Sequence, residues 1–263
     1  MTSSSQEPSI SLEGYLQFAI EIARKAGNHT LNYFNRKVTI DRKGDDSPVT
    51  QADREAEQIL REAITASFPN HSIIGEEFGE DHKDGDFTWI LDPIDGTRSF
   101  IHGIPLYTTL IGLLYRGKPV AGVIYAPATN EMTEAAIGLG CRYNGTEITV
   151  GNCQHLKNAT MCTTDVYLFD EVGQKEIHDA LASKIHLHRT WGDAYGHMKV
   201  ATGQIDLMVD PILNIWDAAA LLPIITEAGG AFVDFDGVSR IDGGSGISAN
   251  PYLIPQVMSI IQK

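Results

Sequence analysis

The chain has 263 residues, 43% of them hydrophobic and 21% charged, with a formal net charge of −14. That length supports one large domain or two intimately packed ones with a substantial core, and that charge repels nucleic-acid backbones and anionic membranes, so neither is an expected partner. Three cysteines (Cys141, Cys153 and Cys162) with no C-x-x-C pair speak against a disulfide framework or zinc knuckle and fit a reducing compartment, with the cytoplasm as the default.

"MTSSSQEPS", residues 1–9, reads as a disordered polar tail, with no signal peptide and no membrane span. From Leu12, the apolar residues Tyr15, Leu16, Ala19, Ile22, Ala23 and Ala26 form a helical stripe. "DRKGDDSPVT" (41–50) reads as a loop, and a second helix follows from Gln51 with Asp53 in its first turn. Between 87 and 136 the texture turns to strands. "FTWIL" is one, "LYTTLIGLLY" and "PVAGVIYA" form a hairpin about Arg116-Gly117-Lys118, and "EMTEAAI" adds another. "GCRYNG" and "VGN" mark turns. Beyond residue 158 strands and helices alternate: "ATMCTTD" precedes a helix over 168–183, "KIHLHRT" one over 193–203, and "IDLMVD" one from Trp216 to Ala228. Gly229-Gly230 closes that last helix, "AFVDF" and "GISAN" are short strands, and a helix ends the chain. Pro223 within the helix from Trp216 predicts a kink. The expected organisation is an N-terminal α+β subdomain over 10–150 and a C-terminal α/β subdomain over 151–263, sharing a cleft near residue 150.

Acids stand at the ends of apolar elements: Asp53, Glu76-Glu77 after "HSIIG", Asp92 and Asp95 after "TWIL", and Asp217 after "NIW". A carboxylate near a helix N-terminus also serves as a cap or dipole partner, so a structural role for Asp53 or Asp217 stays open. "DPIDGT" is more specific. Pro93 stiffens the turn and Gly96 admits a close neighbour, which directs Asp92 and Asp95 into one small volume. Two ionised carboxylates held together need a cation or a proton between them. An oxygen-only donor set without clustered His or Cys points to Mg²⁺. A helix starting near Asp95 would add the N–H groups of Gly96 and Thr97 as an anion pocket. Metal ions beside an anion pocket define a site for hydrolysing phosphate esters, whereas no G-x-x-x-x-G-K-[ST] loop speaks for nucleoside triphosphates. "HLH" (186–188) reads as surface or core, and the Gly-rich "DGGSGISAN" (242–250) as a turn before a strand.

"VTQAD" (49–53), "GEE" (75–77), "WILDPIDGT" (89–97), "WDAAA" (216–220) and "TEAGG" (226–230) together resemble, in order, the signature set of the inositol monophosphatase-like family. The resemblance implies a layered α-β-α-β-α fold, Mg²⁺ dependence with two to three ions per subunit, frequent lithium inhibition and a homodimer. It implies that Glu76, Asp92 and the Ile94 carbonyl bind a first metal, that Asp92, Asp95 and Asp217 bind a second, and that a weaker third lies near Glu76. Thr97 and Asp53 match a pair that orients and deprotonates the attacking water, with Glu76 also in the catalytic set. Asp95, Gly96, Thr97 and Asp217 would meet the phosphate. "RTWGDAYGH" (189–197) and Asp210 would face the rest of a small phosphorylated metabolite. There Arg189, Trp191, Gly192 and Asp193, with Arg98 in "DGTRSF", resemble the histidinol-phosphate phosphatase branch, since Asp193 and Asp210 suit an ammonium or imidazole. Core packing for Trp191 and a surface ion pair for Arg189 remain open. The alternatives are an inositol-1-phosphatase or broad sugar and polyol phosphatase, and a non-catalytic metal- or phosphate-binding regulator.

Overall fold

A computed structural model describes residues 11–36, 39–42, 44 and 48–262; the tail expected over 1–9 lies outside them. The predicted apolar stripe forms α1 (Leu12–Thr30), started by Ser11, whose hydroxyl accepts the Gly14 N–H. The segment expected as a loop over 41–50 instead ends in a small antiparallel pair, β1 (Ile40–Arg42) with β2 (Pro48–Thr50). Three-residue strands are too short to show a period, which is why the polar composition dominated the sequence reading. α2 (Gln51–Ser67) follows directly from a capping box between Thr50 and Asp53.

α1 and α2 cover one face of an eight-stranded sheet. It contains β3 (Ser72–Gly75), β4 (Gly79–Asp81), β5 (Phe87–Asp95), β6 (Thr108–Tyr115), β7 (Lys118–Ala126), β8 (Glu131–Ala136), β9 (Cys141–Tyr143) and β10 (Thr146–Glu147), in the order β10-β9-β8-β7-β6-β5-β3-β4. The predicted hairpin is β6 and β7, turning at Arg116 and Gly117, both at positive φ. "GCRYNG", read as a turn, contributes β9 as well; only Asn144-Gly145 form the turn, into β10.

After β5 comes the single turn α3 (Thr97–Ile101). In the C-terminal half, β11 (Thr160–Cys162) leads to α4 (Val166–Glu171) and α5 (Lys175–Ala182), where one helix was predicted. Gly173, at φ 71°, breaks the run. Then come β12 (Leu187–Arg189), α6 (Ala194–Ala201), β13 (Leu207–Asp210), α7 (Ile215–Glu227), β14 (Ala231–Val233), β15 (Gly246–Ala249) and α8 (Ile254–Ile261). The second sheet runs β12-β11-β13-β15-β14.

Alternation along the strands divides the core. Leu91, Ile111 and Val123 pack toward α1 and α2, while Ile90, Leu110 and Ile124 pack toward α6 and α7. Met208 faces α6 and α7 as well, whereas Leu207 and Val209 face α4, α5 and α8. The result is a five-layer α-β-α-β-α arrangement, as the sequence resemblance implied. Each large aliphatic or aromatic side chain so buried contributes about 1.5–3 kcal/mol.

α7 lies unusually close to the first sheet. Gly112 and Gly122 pair across β6 and β7 beneath Ala219 and Ala220. A Cβ on Gly112 would stand 2.6 Å from the Ala219 Cβ, and one on Gly122 would strike the Ala220 carbonyl. The small run Ala218–Ala220 is thus a bedding surface, and it sets the first turn of α7 beside β5. α7 continues through the buried Pro223 to Glu227 without a break. Among the described residues no helix is long and apolar enough to cross a membrane.

Candidate active site

Asp92 and Asp95 are three residues apart, a spacing that in a regular strand aims side chains at opposite faces. β5 resolves the conflict with a bulge: Asp92 pairs with Leu110 and Asp95 with Thr108, so one extra residue sits on β5. Pro93 occupies that irregular stretch, where its missing N–H costs nothing, and its carbonyl accepts the Thr109 hydroxyl at 2.9 Å. The strand therefore runs on to Asp95, beyond the end read from the sequence. The following helix begins at Thr97 and not at Asp95, because Gly96, at φ 82°, turns the chain first.

Two helix starts deliver the remaining acids. Asp53 is the third residue of α2, and its Oδ2 accepts from the backbone N–H and hydroxyl of Thr50 at 2.8 and 2.6 Å. Its Oδ1 accepts the Thr97 hydroxyl at 3.3 Å, and that hydroxyl also reaches the Ile94 carbonyl at 3.1 Å. Asp217 holds the same position in α7, its Oδ2 accepting the Asn214 N–H at 2.7 Å. The cap reading holds for these two carboxylates, and each spends one oxygen on the cap. Glu76 follows β3, its N–H donating to the Leu91 carbonyl at 3.1 Å.

Asp92, Asp95 and Asp217 each offer an oxygen within 4.8 Å of the others. Burial, then the negative charge of Glu76, raises Asp92 well above the ordinary carboxylate range; burial, then Asp193, does the same to Asp95. Asp217 is pushed up to about 8 by burial and then by Asp95. Burial also raises Asp53. Carboxylates this crowded are ionised together only beside a cation. Their all-oxygen donor set fits a hard divalent ion such as Mg²⁺ and not a thiolate- or imidazole-bound one. Asp92, Asp95 and Asp217 are the residues that would hold it, and Glu76 is near enough for its charge to act on Asp92.

Asp193 enters from the second half of the chain. It precedes α6 at φ 54° and ψ −160°, a region that costs a non-glycine residue about 1–3 kcal/mol. Its N–H donates to the Thr164 hydroxyl at 2.8 Å, and a Cβ on Gly96 would stand 2.8 Å from its Oδ2. Gly96 is therefore glycine for two reasons, its backbone and its neighbour. Burial pushes Asp193 up to about 7, with the charges of Asp210 and Asp217 adding and Arg98 opposing. Gly192 is buried, and a Cβ there would lie 2.5 Å from the Thr164 Cα.

The other expected substrate residues are placed differently. Asp210 is only 1% exposed. It accepts the Thr164 N–H at 2.8 Å, the Thr163 hydroxyl at 3.3 Å and contacts His197 Nε2 at 3.2 Å. Against the expectation that it faces substrate, its oxygens are consumed inside, where they hold the Thr164 segment under Asp193. Trp191 is 42% exposed, so the core-packing alternative fails for it. Arg189 is exposed, its Nη1 donating to the His188 carbonyl at 2.7 Å. Arg98 reaches Asp165 across the cleft at 3.8 Å.

Sequence reasoning missed Glu57. It is fully buried on α2 and accepts the N–H groups of Glu77 and Phe78 at 2.7 and 3.2 Å, with the Arg61 Nε at 2.7 Å. It shapes the turn that carries Glu76. The available signal was the i, i+4 run Asp53, Glu57, Arg61 on a helix whose neighbouring positions are apolar.

The whole described chain can be compared with known proteins. Residues 11–262 match the model of the inositol monophosphatase family. A histidinol-phosphatase of Chlorobaculum parvum is 45% identical over 238 residues, covering 89% of this chain and 92% of that protein. The Nus factor SuhB of Vibrio cholerae is 32% identical, covering 94% and 96% respectively. The solved structure of an inositol monophosphatase from Zymomonas mobilis superposes with a TM-score of 0.87 at 34% identity, covering 97% of this chain and all of that one (100%).

Proposed function

Because the chain belongs to the inositol monophosphatase family, whose members are metal-dependent phosphatases of small phosphorylated substrates, we propose that it is a Mg²⁺-dependent phosphomonoesterase that prefers L-histidinol phosphate, yielding L-histidinol and phosphate in histidine biosynthesis. Two to three Mg²⁺ held by Glu76, Asp92, Ile94, Asp95 and Asp217 would supply positive charge to the phosphoryl oxygens and lower the pKa of water.

The chain's own groups do the rest. Thr50 pins one oxygen of Asp53 and leaves the other to hold the Thr97 hydroxyl. That hydroxyl orients the attacking water and passes its proton toward Asp53 Oδ1. Burial raises Asp53, which makes it a stronger proton acceptor. The backbone N–H groups of Gly96 and Thr97 face the phosphate, and Trp191, Gly192 and Arg189 line the far side of the substrate.

The observation that carries the substrate assignment is Asp193. Its carboxylate sits against Gly96 and is raised by burial and then by the negative charges of Asp210 and Asp217. An ammonium or imidazolium from the substrate relieves that crowding, whereas a neutral polyol does not. The 45% identity to a protein named histidinol-phosphatase supports the same reading. Asp210 then acts through the Thr164 segment as a positioning residue. A homodimeric, cytoplasmic enzyme belongs to this reading, and sedimentation checks the dimer.

The rival is an inositol-1-phosphatase or broad sugar and polyol phosphatase; the Zymomonas mobilis relative is an inositol monophosphatase. Phosphate release from the two esters with Mg²⁺ separates them. We expect a higher kcat/KM for histidinol phosphate; a higher value for inositol 1-phosphate overturns the assignment. A non-catalytic regulator has no need of the complete set Glu76, Asp92, Asp95 and Asp217, and absent turnover on every ester would favour it.

A further inference from the structure

Beneath the second sheet, away from the carboxylates, three buried polar atoms lack a hydrogen-bond partner among the described residues: Nε2 of His178, Nε2 of His188 and Oε1 of Gln174. His178 on α5 and His188 on β12 have ring centroids 5.1 Å apart and planes inclined by 56°. Phe169 of α4 closes on His178 at 5.2 Å. Gln174 caps α5 four residues before His178, and its carbonyl accepts the His178 N–H at 3.3 Å. A buried polar group without a partner is costly. Three in one region imply an occupant.

The ring chemistry says what kind. His178 Nδ1 lies 3.1 Å from Asp179 Oδ1. A carboxylate only accepts, so Nδ1 donates to it and Nε2 is the ring nitrogen turned inward. This carboxylate-to-imidazole arrangement is the one that orients histidine metal ligands. Burial is the largest cause lowering His188 from the ordinary imidazole value. Two imidazole nitrogens and an amide oxygen suit a borderline d-block cation and suit Mg²⁺ poorly.

We propose that His178, His188 and Gln174 form a second metal site, selective for a divalent d-block cation, which staples α5 to β12. β12 runs directly into Arg189–Asp193, so an ion bound there steadies the segment beside the cleft. "HLH", read from sequence as surface or core, thereby gains a ligand at its second histidine.

Cu²⁺ is the probe, added to the full chain in excess Mg²⁺ and read by electron paramagnetic resonance. The wild type should bind one tight equivalent with superhyperfine coupling to two nitrogens. His178→Gln and His188→Gln should each lose a nitrogen and weaken Cu²⁺ binding by about tenfold or more. Asp217→Asn should leave the signal unchanged, which separates this site from the carboxylate centre. Circular dichroism checks that each variant folds; if one does not, the wild-type nitrogen count and the other variant decide. Oxygen-only coordination, nitrogen coupling that persists in both histidine variants, or no saturable binding (a buried water as sole occupant) would overturn the proposal.

Discussion

Asp95 Oδ2 accepts the backbone N–H of Ala194 at 2.7 Å across 99 residues of sequence. The bond joins the end of β5 to the first turn of α6, and so brings Asp193 beside the carboxylate cluster. Thr108 donates to the same oxygen at 3.1 Å. One oxygen of Asp95 is thus a structural rivet between the two halves of the chain, leaving the other for chemistry.

That placement predicts a selective defect for Asp193→Asn. Asparagine keeps the shape and tolerates positive φ, and removing a buried carboxylate of raised pKa does not destabilise the fold, so the variant should fold at least as well as wild type. Removing the charge should raise KM for histidinol phosphate by roughly 10- to 100-fold, the worth of a charge-assisted hydrogen bond. A small phosphate monoester without an amine should show little change. Steady-state kinetics on both esters checks this, and equal losses on the two would exclude the amine-pairing role.

Glu57 should matter although it touches no substrate. Glu57→Ala leaves Arg61 without its carboxylate and strands the N–H groups of Glu77 and Phe78. We expect about 3 kcal/mol of destabilisation in Mg²⁺-free denaturant titrations. Glu57→Gln should cost less and yet weaken Mg²⁺ binding, because the turn presenting Glu76 loosens. Unchanged Mg²⁺ affinity in a folded Glu57→Gln protein would assign Glu57 to packing alone.

How much of this was legible beforehand differs by residue. Asp92 and Asp95 stood out because Pro93 and Gly96 punctuate them, but the device that unites them is the β5 bulge, which depends on the partner strand β6. Asp53 and Asp217 were ambiguous as sequence because a helix cap and a ligand-bearing carboxylate occupy the same position in a helix's first turn. Glu57 was invisible to a stripe-based reading, which sorts helix positions into apolar and solvated and has no place for a buried carboxylate. Asp210 looked like a cleft residue at a strand end; only the packing of His197 and Thr164 around it shows that it turns inward. β1, β4, β9 and β10 are too short for alternation to register.

Glu134 on β8 supplies a pH signature remote from the metal ligands. Burial pushes it up to about 7, opposed by Arg142 and Arg24, and its Oε2 has no hydrogen-bond partner among the described residues. Its folded pKa exceeds the unfolded value near 4.5. Folding therefore favours the protonated form, so the stability this group contributes is complete below about pH 4.5 and is lost as pH rises through about 7. Glu134→Gln should be more stable than wild type at pH 8, with the gain shrinking toward pH 5. Thermal melts in excess Mg²⁺ would show it; a difference independent of pH would mean that Glu134 is ionised throughout.

Mg²⁺ binding should expel protons. With Asp217 raised to about 8 and Asp193 to about 7, the metal-free cluster holds protons at neutral pH, and the cation displaces them. Affinity should therefore climb as pH rises from 6 toward 8. Chelation should lower the melting temperature relative to the Mg²⁺-loaded protein. Calorimetry in buffers of different ionisation enthalpy measures the proton count, and a count of zero at pH 7 would contradict the crowded-carboxylate description.

The most direct test is phosphate release from histidinol phosphate by wild type and Asp92→Asn, each with Mg²⁺ and with chelator. The account predicts turnover in wild type with Mg²⁺ alone, and at least about a thousandfold loss in Asp92→Asn with its fold intact. Wild-type rates in Asp92→Asn, or turnover that survives complete removal of metal, would contradict it.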